Sequence, residues 1–166
     1  IRAEEERKLK EEEERMMKEE EERKRKEEEE YDEDDSLTTE DTRPPYLSIV
    51  VVGRHDNFSG GFEKRTQNFL NSVGLGLKRF PLARVEVVFV DYATPSDRTP
   101  LHKTFKIPKS LRGKMRFIIV PESTHQSLQK KLNSTLAFFE YIVKNVGIRR
   151  AKGDFILSTN PDNLFP

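Results

Sequence analysis

The distribution of apolar residues separates the chain into two parts. Residues 1–35 hold only a few scattered apolar side chains, whereas the rest alternates short apolar runs with segments of helical periodicity. Continuous β-branched runs of about five residues are typical of strands that are buried on both faces. A run of this kind predicts a strand over residues 47–52, and three further apolar runs predict strands over residues 85–90, 115–120 and 155–157.

Apolar residues spaced by three and four positions predict two helices between these strands. The first begins at residues 60–61, ends near residues 80–81 and presents one apolar face that includes Phe62, Phe69, Leu70, Val73 and Leu77. The second is predicted as one long helix, capped by Ser123 or Thr124, with an apolar face of Leu128, Leu132, Leu136, Phe139, Val143 and Val146. Residues 95–114 are rich in proline and lysine and are expected to form a loop.

Strands and helices in this order predict an α/β fold with a Rossmann-like parallel sheet and right-handed crossovers. Ligands of such sheets bind where the strands end, at the carboxyl edge. The conspicuous polar groups follow three of the strands, at residues 54–57, at Asp91 and at residues 160–162. The pattern therefore predicts a ligand site at that edge.

The first part of the chain is a charged tail. Glutamate blocks recur with Arg and Lys between them, so that pairs such as Glu14 with Lys18 support a helix. Leu9, Met16 and Met17 are too few to form a coiled-coil seam. An isolated charged helix is favoured, with plain disorder as the alternative. The predicted organisation is a tail over residues 1–35, a linker over 36–46 and a truncated folded part over 47–166.

The chain is neutral overall because an acidic first part and a basic second part cancel. Residues 1–35 carry 19 acids and 10 bases, which leaves 11 acids and 20 bases in residues 36–166. A basic folded part suits a phosphate-rich ligand, and a solvated basic surface is the alternative. Nucleic acid is not expected as a partner, because the chain carries no motif that reads DNA or RNA.

Several classes of protein are disfavoured by what the sequence lacks. It has no cysteine, which excludes disulfides and cysteine-bound metals. It has no apolar stretch long enough to span a bilayer, so no membrane segment is expected. A Ser-His-Asp order, a Walker A loop and a dinucleotide fingerprint are missing too, which disfavours hydrolases, nucleotide triphosphatases and dehydrogenases. Of the three histidines, only His55 lies near the predicted site. The compartment stays open between the cytoplasm and the Golgi lumen.

Residues 144–162 carry the strongest motif, Lys-Asn-Val-Gly-Ile-Arg-Arg-Ala-Lys-Gly-Asp-Phe-Ile-Leu-Ser-Thr-Asn-Pro-Asp. This segment resembles a signature of family 2-like glycosyltransferases of the GT-A fold. There, Asn-x-Gly-Ile-x-x-Ala-x-Gly-Asp leads through an apolar strand to a metal-binding Asp-x-Asp. Residues 47–57 resemble the family's first strand and uridine-contacting loop, and residues 88–91 resemble its second strand. The resemblance implies the donor-binding half of the fold, with the acceptor half and the catalytic base expected beyond Pro166.

The resemblance implies that the chain binds a nucleotide diphosphate sugar, expected to be a UDP-sugar, with Mn²⁺ or Mg²⁺. The intact protein would then transfer the sugar to an acceptor hydroxyl, by a single inverting displacement. Asp162 is the implied metal ligand, because a hard cation can bridge carboxylate and phosphate oxygens. Asn160 departs from the usual first aspartate and could bind the metal or a ribose hydroxyl through its amide. Asn163 departs from an acidic residue often found there.

Further contacts to the nucleotide are implied at four positions. Asp91 matches the carboxylate that holds the nucleoside, and a loop-capping aspartate is the alternative. Asp56 matches the uridine-contacting loop, and Arg54 beside it could reach a phosphate. Lys144 could approach the diphosphate, with an ordinary surface lysine as the alternative.

Two other functions remain open from the sequence. The departures at Asn160 and Asn163 permit a non-catalytic domain that keeps the fold, and residues 160–163 could form a simple β-turn. A different nucleotide-binding α/β domain is also possible, in which residues 95–114 would face the phosphates.

Overall fold

The computed structural model describes residues 12–22, 43–56 and 60–165. The chain divides into two units, Ile1–Asp41 and Thr42–Pro166. In the first unit residues 12–22 are helical, and Arg15 Nε lies 3.9 Å from Glu19 Oε1, four positions later. The remainder of the predicted tail and most of the linker lie outside the described residues.

The second unit is an α/β domain with four parallel strands, which are β1 Leu47–Gly53, β2 Val85–Tyr92, β3 Met115–Val120 and β4 Phe155–Thr159. Their order in the sheet is β3-β2-β1-β4, which is consistent with a Rossmann-like fold. A 3-10 turn, Lys109–Leu111, precedes β3. Within the described part of the chain, no helix combines the length and the apolar character needed to cross a membrane. The helices of this unit in chain order are α1 Phe62–Arg79, α2 Leu101–Thr104, α3 Glu122–Leu132 and α4 Glu140–Ile148.

The two faces of the sheet carry separate cores, because successive side chains of a strand point to opposite faces. The first core packs α1 against alternate residues of β1 and β2, and includes Ile49, Val51, Phe69, Leu70, Val87 and Phe89. The second core packs the start of α4 against the opposite face, and includes Val52, Val90, Tyr92, Phe139 and Val143. β1 and β2 are therefore buried on both faces, as their continuous apolar runs predicted.

Two glycines of the sequence motif bring α4 and the following turn close to the sheet. A Cβ atom at Gly147 would lie 2.5 Å from Val50 Cγ1, and one at Gly153 would lie 2.7 Å from the backbone nitrogen of Ser48. Any larger residue at either position would displace backbone or a buried valine. The glycine spacing of the motif thus has a packing reason in this fold.

A buried carboxylate fastens the amino edge of the sheet, where the strands begin. Glu86 Oε1 accepts hydrogen bonds from Ser48 Oγ at 2.7 Å and from the Lys152 backbone N–H at 2.6 Å. Its Oε2 accepts from Arg116 Nε at 2.9 Å. Burial alone raises the pKa of Glu86, but the bonds from Arg116, Ser48 and Lys152 outweigh burial and hold that pKa below its usual range. Glu86 thereby connects β1, β2, β3 and the turn before β4.

The single long helix predicted after β3 is wrong, because two helices, α3 and α4, occupy that stretch. Asn133 ends α3 with a φ of 46°, in the left-handed region that asparagine tolerates better than most residues. Leu136, predicted on the apolar face, lies in the intervening loop and is exposed. Pro121 occupies the N-cap position of α3, so the predicted cap at Ser123 or Thr124 is wrong as well.

Residues 95–114 are more ordered than the predicted loop. They contain α2 and the 3-10 turn, and three of their apolar side chains are buried in the first core, namely Leu101, Phe105 and Leu111. Ser110 Oγ donates a hydrogen bond of 2.7 Å to the Gly74 carbonyl in α1. The later part of this segment therefore packs on α1. It could not be read from periodicity because its helical pieces are only three and four residues long.

Candidate functional site

The carboxyl ends of β1, β2 and β4 meet at one edge of the sheet. Gly53 pairs with Asp91, and Val51 pairs with Thr159. The segments that follow these strands, residues 54–56, 93–94 and 160–162, therefore leave the sheet side by side. The structure brings residues 54–56, Asp91 and residues 160–162 to this carboxyl edge, and Asn57 lies outside the described residues.

Arg54 connects the end of β1 with the loop ahead of α4. Its Nε lies 3.3 Å from Asp56 Oδ2, forming an ion pair. Its Nη1 donates a hydrogen bond to the Ala137 carbonyl. The side chain is only 16% exposed, so most of it is committed to protein contacts. A phosphate would meet an arginine that is already oriented by Asp56 and Ala137.

His55 joins three segments at this edge. It is buried, with Nδ1 2.6 Å from the Thr99 carbonyl oxygen and Nε2 2.8 Å from Glu63 Oε1. Its backbone N–H donates to Thr94 Oγ1 at 3.2 Å. The sequence marked His55 only by its position after β1. Its partners Thr94 and Thr99 lie 39 and 44 residues further along the chain, so no local signal could reveal this role.

Asp91 is buried and holds the loop that follows β2. Thr94 Oγ1 donates to Asp91 Oδ1, and the Leu101 backbone N–H donates to Oδ2 at 2.9 Å. Asp91 is 1% exposed. This is the arrangement of a loop-capping aspartate, which was the alternative considered for this residue. A nucleoside would reach the carboxylate only after the loop rearranged, and a role in nucleoside binding stays a prediction.

The tip after β4 is a β-turn. The Asn163 backbone N–H donates to the Asn160 carbonyl at 3.3 Å, and Asn163 Nδ2 donates to Thr159 Oγ1 at 2.7 Å. Asp162 lies in the turn and is exposed. The turn therefore presents one carboxylate to solvent, while Asn163 fastens the turn to the end of β4.

Lys144 and Asn160 are brought together, as their predicted roles at one site require. Lys144 Nζ donates to Asn160 Oδ1 at 2.9 Å and lies 2.7 Å from Glu140 Oε1. The amide oxygen that could have bound a metal is thus already paired with an ammonium group. Glu140 balances the ammonium charge, so a phosphate would bind Lys144 in competition with that carboxylate.

The protein groups alone do not form a metal cage. Among the described residues, no group of three or more His, Cys, Asp or Glu side chains could hold a metal ion. Asp162 offers one carboxylate, and Asn160 is bonded to Lys144. Mg²⁺ and Mn²⁺ are commonly bound by one or two carboxylates together with substrate phosphates. The residues fit a cation that arrives with a diphosphate rather than a resident ion.

A buried Tyr92–His125 pair lies beneath the surface at the end of β2. Tyr92 Oη lies 2.8 Å from His125 Nδ1, and the two rings meet edge to face at 5.3 Å between centroids. Burial lowers the pKa of His125, the Arg54 charge lowers it further, and Glu122 opposes both. Burial raises the pKa of the Tyr92 hydroxyl, and Arg54 opposes this shift. Both side chains are therefore held uncharged near neutral pH.

A surface cavity of about 550 Å³ opens where α1 begins. Gly60 and Gly61 form its rim with positive φ angles of 38° and 68°, which glycine adopts without a steric cost. Asp56 lies in the wall, so a ligand in the cavity would meet this carboxylate and the amino end of α1. Among the described residues, the lining consists of His55, Asp56, Gly60, Gly61, Phe62, Glu63, Lys64 and Arg98.

No protein-family model, curated protein or solved structure matches the chain. The residues at the carboxyl edge therefore carry the functional argument.

Proposed function

We propose that this chain is the donor-binding part of a GT-A-type glycosyltransferase and binds a nucleotide diphosphate sugar at the carboxyl edge of its sheet. The resemblance of residues 144–162 to the glycosyltransferase signature motivates the proposal. Such a protein would transfer the sugar to an acceptor hydroxyl.

One observation supports the proposal most strongly. In the folded chain, the glycines, the strand and the final turn of residues 144–162 each have a distinct physical role. Gly147 and Gly153 allow close packing on β1, β4 runs beside β1, and the motif ends in an exposed turn at the carboxyl edge. Lys144, from the start of the same motif, contacts Asn160 near its end. A chance turn sequence would not require this combination.

The residues divide the binding of a diphosphate between them. Lys144 offers an ammonium group and Arg54 a guanidinium, and each would exchange its present carboxylate partner, Glu140 or Asp56, for phosphate oxygens. Asp162 would hold a divalent cation together with the phosphate oxygens, and that cation would stabilise the departing diphosphate. Asp56 borders the cavity at the start of α1, where the nucleoside would lie.

A second candidate is a non-catalytic domain that binds a nucleotide without metal. It is favoured by the Lys144–Asn160 hydrogen bond of 2.9 Å, because the amide oxygen that could have bound a cation accepts from an ammonium group instead. The two candidates differ in whether nucleotide affinity depends on the metal.

Calorimetric titration of UDP into the chain, with Mn²⁺ and with EDTA, separates the candidates. The transferase proposal expects Mn²⁺ to strengthen UDP binding and expects Asp162→Ala to remove that gain, an effect on the order of ten-fold or more. Asn160→Asp should enlarge the gain, because it adds a second carboxylate to the turn that holds Asp162.

Asp154→Ala is the matched control, because Asp154 is an exposed aspartate just before β4, at the opposite edge of the sheet. It should leave UDP affinity and metal dependence unchanged. Equal UDP affinity with Mn²⁺ and with EDTA in the parent chain would reject the metal-dependent proposal and favour the second candidate.

A further inference from the structure

A tight turn at the amino edge exposes two large apolar side chains. Between α1 and β2, the Ala83 backbone N–H donates to the Phe80 carbonyl at 2.9 Å and closes a β-turn. Phe80 is 69% exposed and Leu82 is 85% exposed. Turn tips are normally occupied by Gly, Pro, Asn, Asp and Ser. An exposed aromatic and an exposed aliphatic residue at a projecting turn therefore indicate a surface that binds a partner.

Basic residues surround this turn in three separate chain segments. The segment 78–84 reads Lys-Arg-Phe-Pro-Leu-Ala-Arg, the segment 112–116 holds Arg112, Lys114 and Arg116, and the segment 149–152 holds Arg149, Arg150 and Lys152. None of these segments contains an acid. The nearest carboxylates along the chain are Glu86, which is bonded to Arg116, and Asp154.

Hydrogen bonds and ring contacts join the three segments into one surface. Lys114 Nζ lies 3.4 Å from the carbonyls of Pro81 and Ala83 in the turn. Arg116 donates to the Arg150 carbonyl, which links the second segment to the third. Arg84 lies over the ring of Tyr46, 5.9 Å from its centroid. The basic residues and the apolar turn therefore belong to the same edge of the sheet.

More apolar side chains lie exposed on this basic edge. Tyr46 and Phe155 are both exposed and pack against each other, with ring centroids 4.9 Å apart. Together with the Phe80 and Leu82 turn, they place aromatic and aliphatic groups among lysines and arginines. Surfaces that rest on a membrane combine apolar groups, which enter the headgroup region, with cations that attract anionic lipids.

We propose that the amino edge docks on an anionic lipid surface, with Phe80 and Leu82 entering the headgroup boundary and the surrounding cations facing lipid phosphates and carboxylates. Charge complementarity selects the anionic lipid. The exposed Leu82 distinguishes a membrane from nucleic acid, whose bases stack on aromatic rings and on guanidinium groups rather than on aliphatic side chains. The docked surface lies opposite the carboxyl edge, so a nucleotide site there would stay open to solvent.

Co-sedimentation of the chain with vesicles of phosphatidylcholine alone, or of phosphatidylcholine with phosphatidylserine, tests the proposal. Binding should require phosphatidylserine and should weaken as salt is added. Phe80→Ser/Leu82→Ser should weaken binding by about ten-fold or more, because the inserted apolar area is lost. Arg149→Gln/Arg150→Gln should weaken binding by about five-fold for each cation removed.

Matched variants elsewhere control for hydrophobicity and charge. Leu136→Ser removes an exposed leucine from the loop whose Ala137 contacts Arg54 at the carboxyl edge. Lys130→Gln/Lys131→Gln removes two exposed cations from the last turn of α3. Both should bind vesicles like the parent, and all variants should keep the parent's circular dichroism spectrum.

Three results would overturn the proposal. The first is the absence of vesicle binding by the parent, and the second is equal binding to vesicles with and without phosphatidylserine. The third is parent-like vesicle binding by Phe80→Ser/Leu82→Ser together with equally tight binding of single-stranded RNA, which would assign the basic edge to nucleic acid. UDP affinity should be unchanged in every amino-edge variant, so this test can fail without affecting the donor-site proposal.

Discussion

The two edges of the sheet use polar residues in opposite ways. At the amino edge, Glu86 is buried and three donors from separate elements fill its carboxylate oxygens. At the carboxyl edge, Asp162 is exposed in a turn, and Lys144 and Asn160 meet near the surface. A closed network stabilises the fold, whereas open polar groups can exchange water for a ligand. This difference locates the candidate site more clearly than the number of polar residues does.

Asp91 and His55 show that the carboxyl edge also contains closed polar networks. Both lie at the carboxyl edge, yet both are buried and bonded within the protein. They hold the loops after β1 and β2 in place, as Glu86 does at the other edge. The candidate site therefore consists of exposed groups supported by a closed layer beneath them.

The largest expected effect on stability comes from removing the Glu86 carboxylate at the amino edge. Glu86→Ala leaves Ser48, Lys152 N–H and the Arg116 guanidinium without their shared acceptor, and should lower the free energy of unfolding by about 3 kcal/mol. Urea denaturation measures this loss. Asp154→Ala, which removes an exposed carboxylate, is the control and should cost less than about 0.5 kcal/mol. A loss below about 1 kcal/mol for Glu86→Ala would contradict the closed-network account.

The Glu86 network also predicts a pH dependence. The folded-state pKa of Glu86 lies below the ordinary value of 4.5, so its contribution to stability is fully present above that value and is lost as the pH falls through the folded pKa. The acid limb of a stability-versus-pH curve should therefore flatten in Glu86→Gln. An unchanged acid limb would show that other carboxylates dominate it.

Gly153 is expected to have the next largest effect. An alanine Cβ there would lie 2.7 Å from Ser48 N and 2.9 Å from the Leu47 carbonyl carbon, so Gly153→Ala should cost about 2 kcal/mol. In Gly76→Ala, the new Cβ would meet no described atom within 4 Å, and the helix should gain about 0.5–1 kcal/mol. Thermal unfolding measures both variants. Equal shifts in the two would contradict the close packing at Gly153.

Asp91 tests whether a carboxyl-edge residue can be structural. Asp91→Ala removes the acceptor of Thr94 and of the Leu101 backbone N–H and should cost about 1.5 kcal/mol. Asp91→Asn keeps an oxygen at the site and should cost less. Chemical denaturation and UDP calorimetry on both variants distinguish the roles. Reduced UDP affinity with unchanged stability would favour direct nucleoside binding by Asp91.

The smallest expected effect is the titration of His125. Because burial lowers its folded-state pKa below 6.5, the unfolded chain takes up the proton first as the pH falls. Stability should therefore decline as the pH falls through about 6.5 and level off below the folded pKa. His125→Gln should remove this part of the decline, as followed by urea denaturation at several pH values. The same decline in both proteins would assign it to another group.

The sequence predicted the sheet well, because β1 and β2 are buried on both faces and their continuous apolar runs carry that information locally. The glycine and strand positions of the motif were also readable, since they lie within one segment. The break between α3 and α4 was missed because the helical spacing of apolar residues continues on both sides of Asn133. The backbone of Asn133 is left-handed and ends the helix, and the apolar spacing carries no sign of this. The partners of Arg54 and Asp91 could not be predicted, because they depend on tertiary contacts to Ala137 and Leu101.

The most direct test of the two-edge account is hydrogen exchange with and without UDP and Mn²⁺. We predict slower exchange in residues 54–56, 93–94 and 160–163, where the three strands end. Exchange in residues 83–86, 114–116 and 150–154, at the amino edge, should be unchanged. Protection confined to the amino-edge segments would contradict the assignment of the carboxyl edge as the nucleotide site.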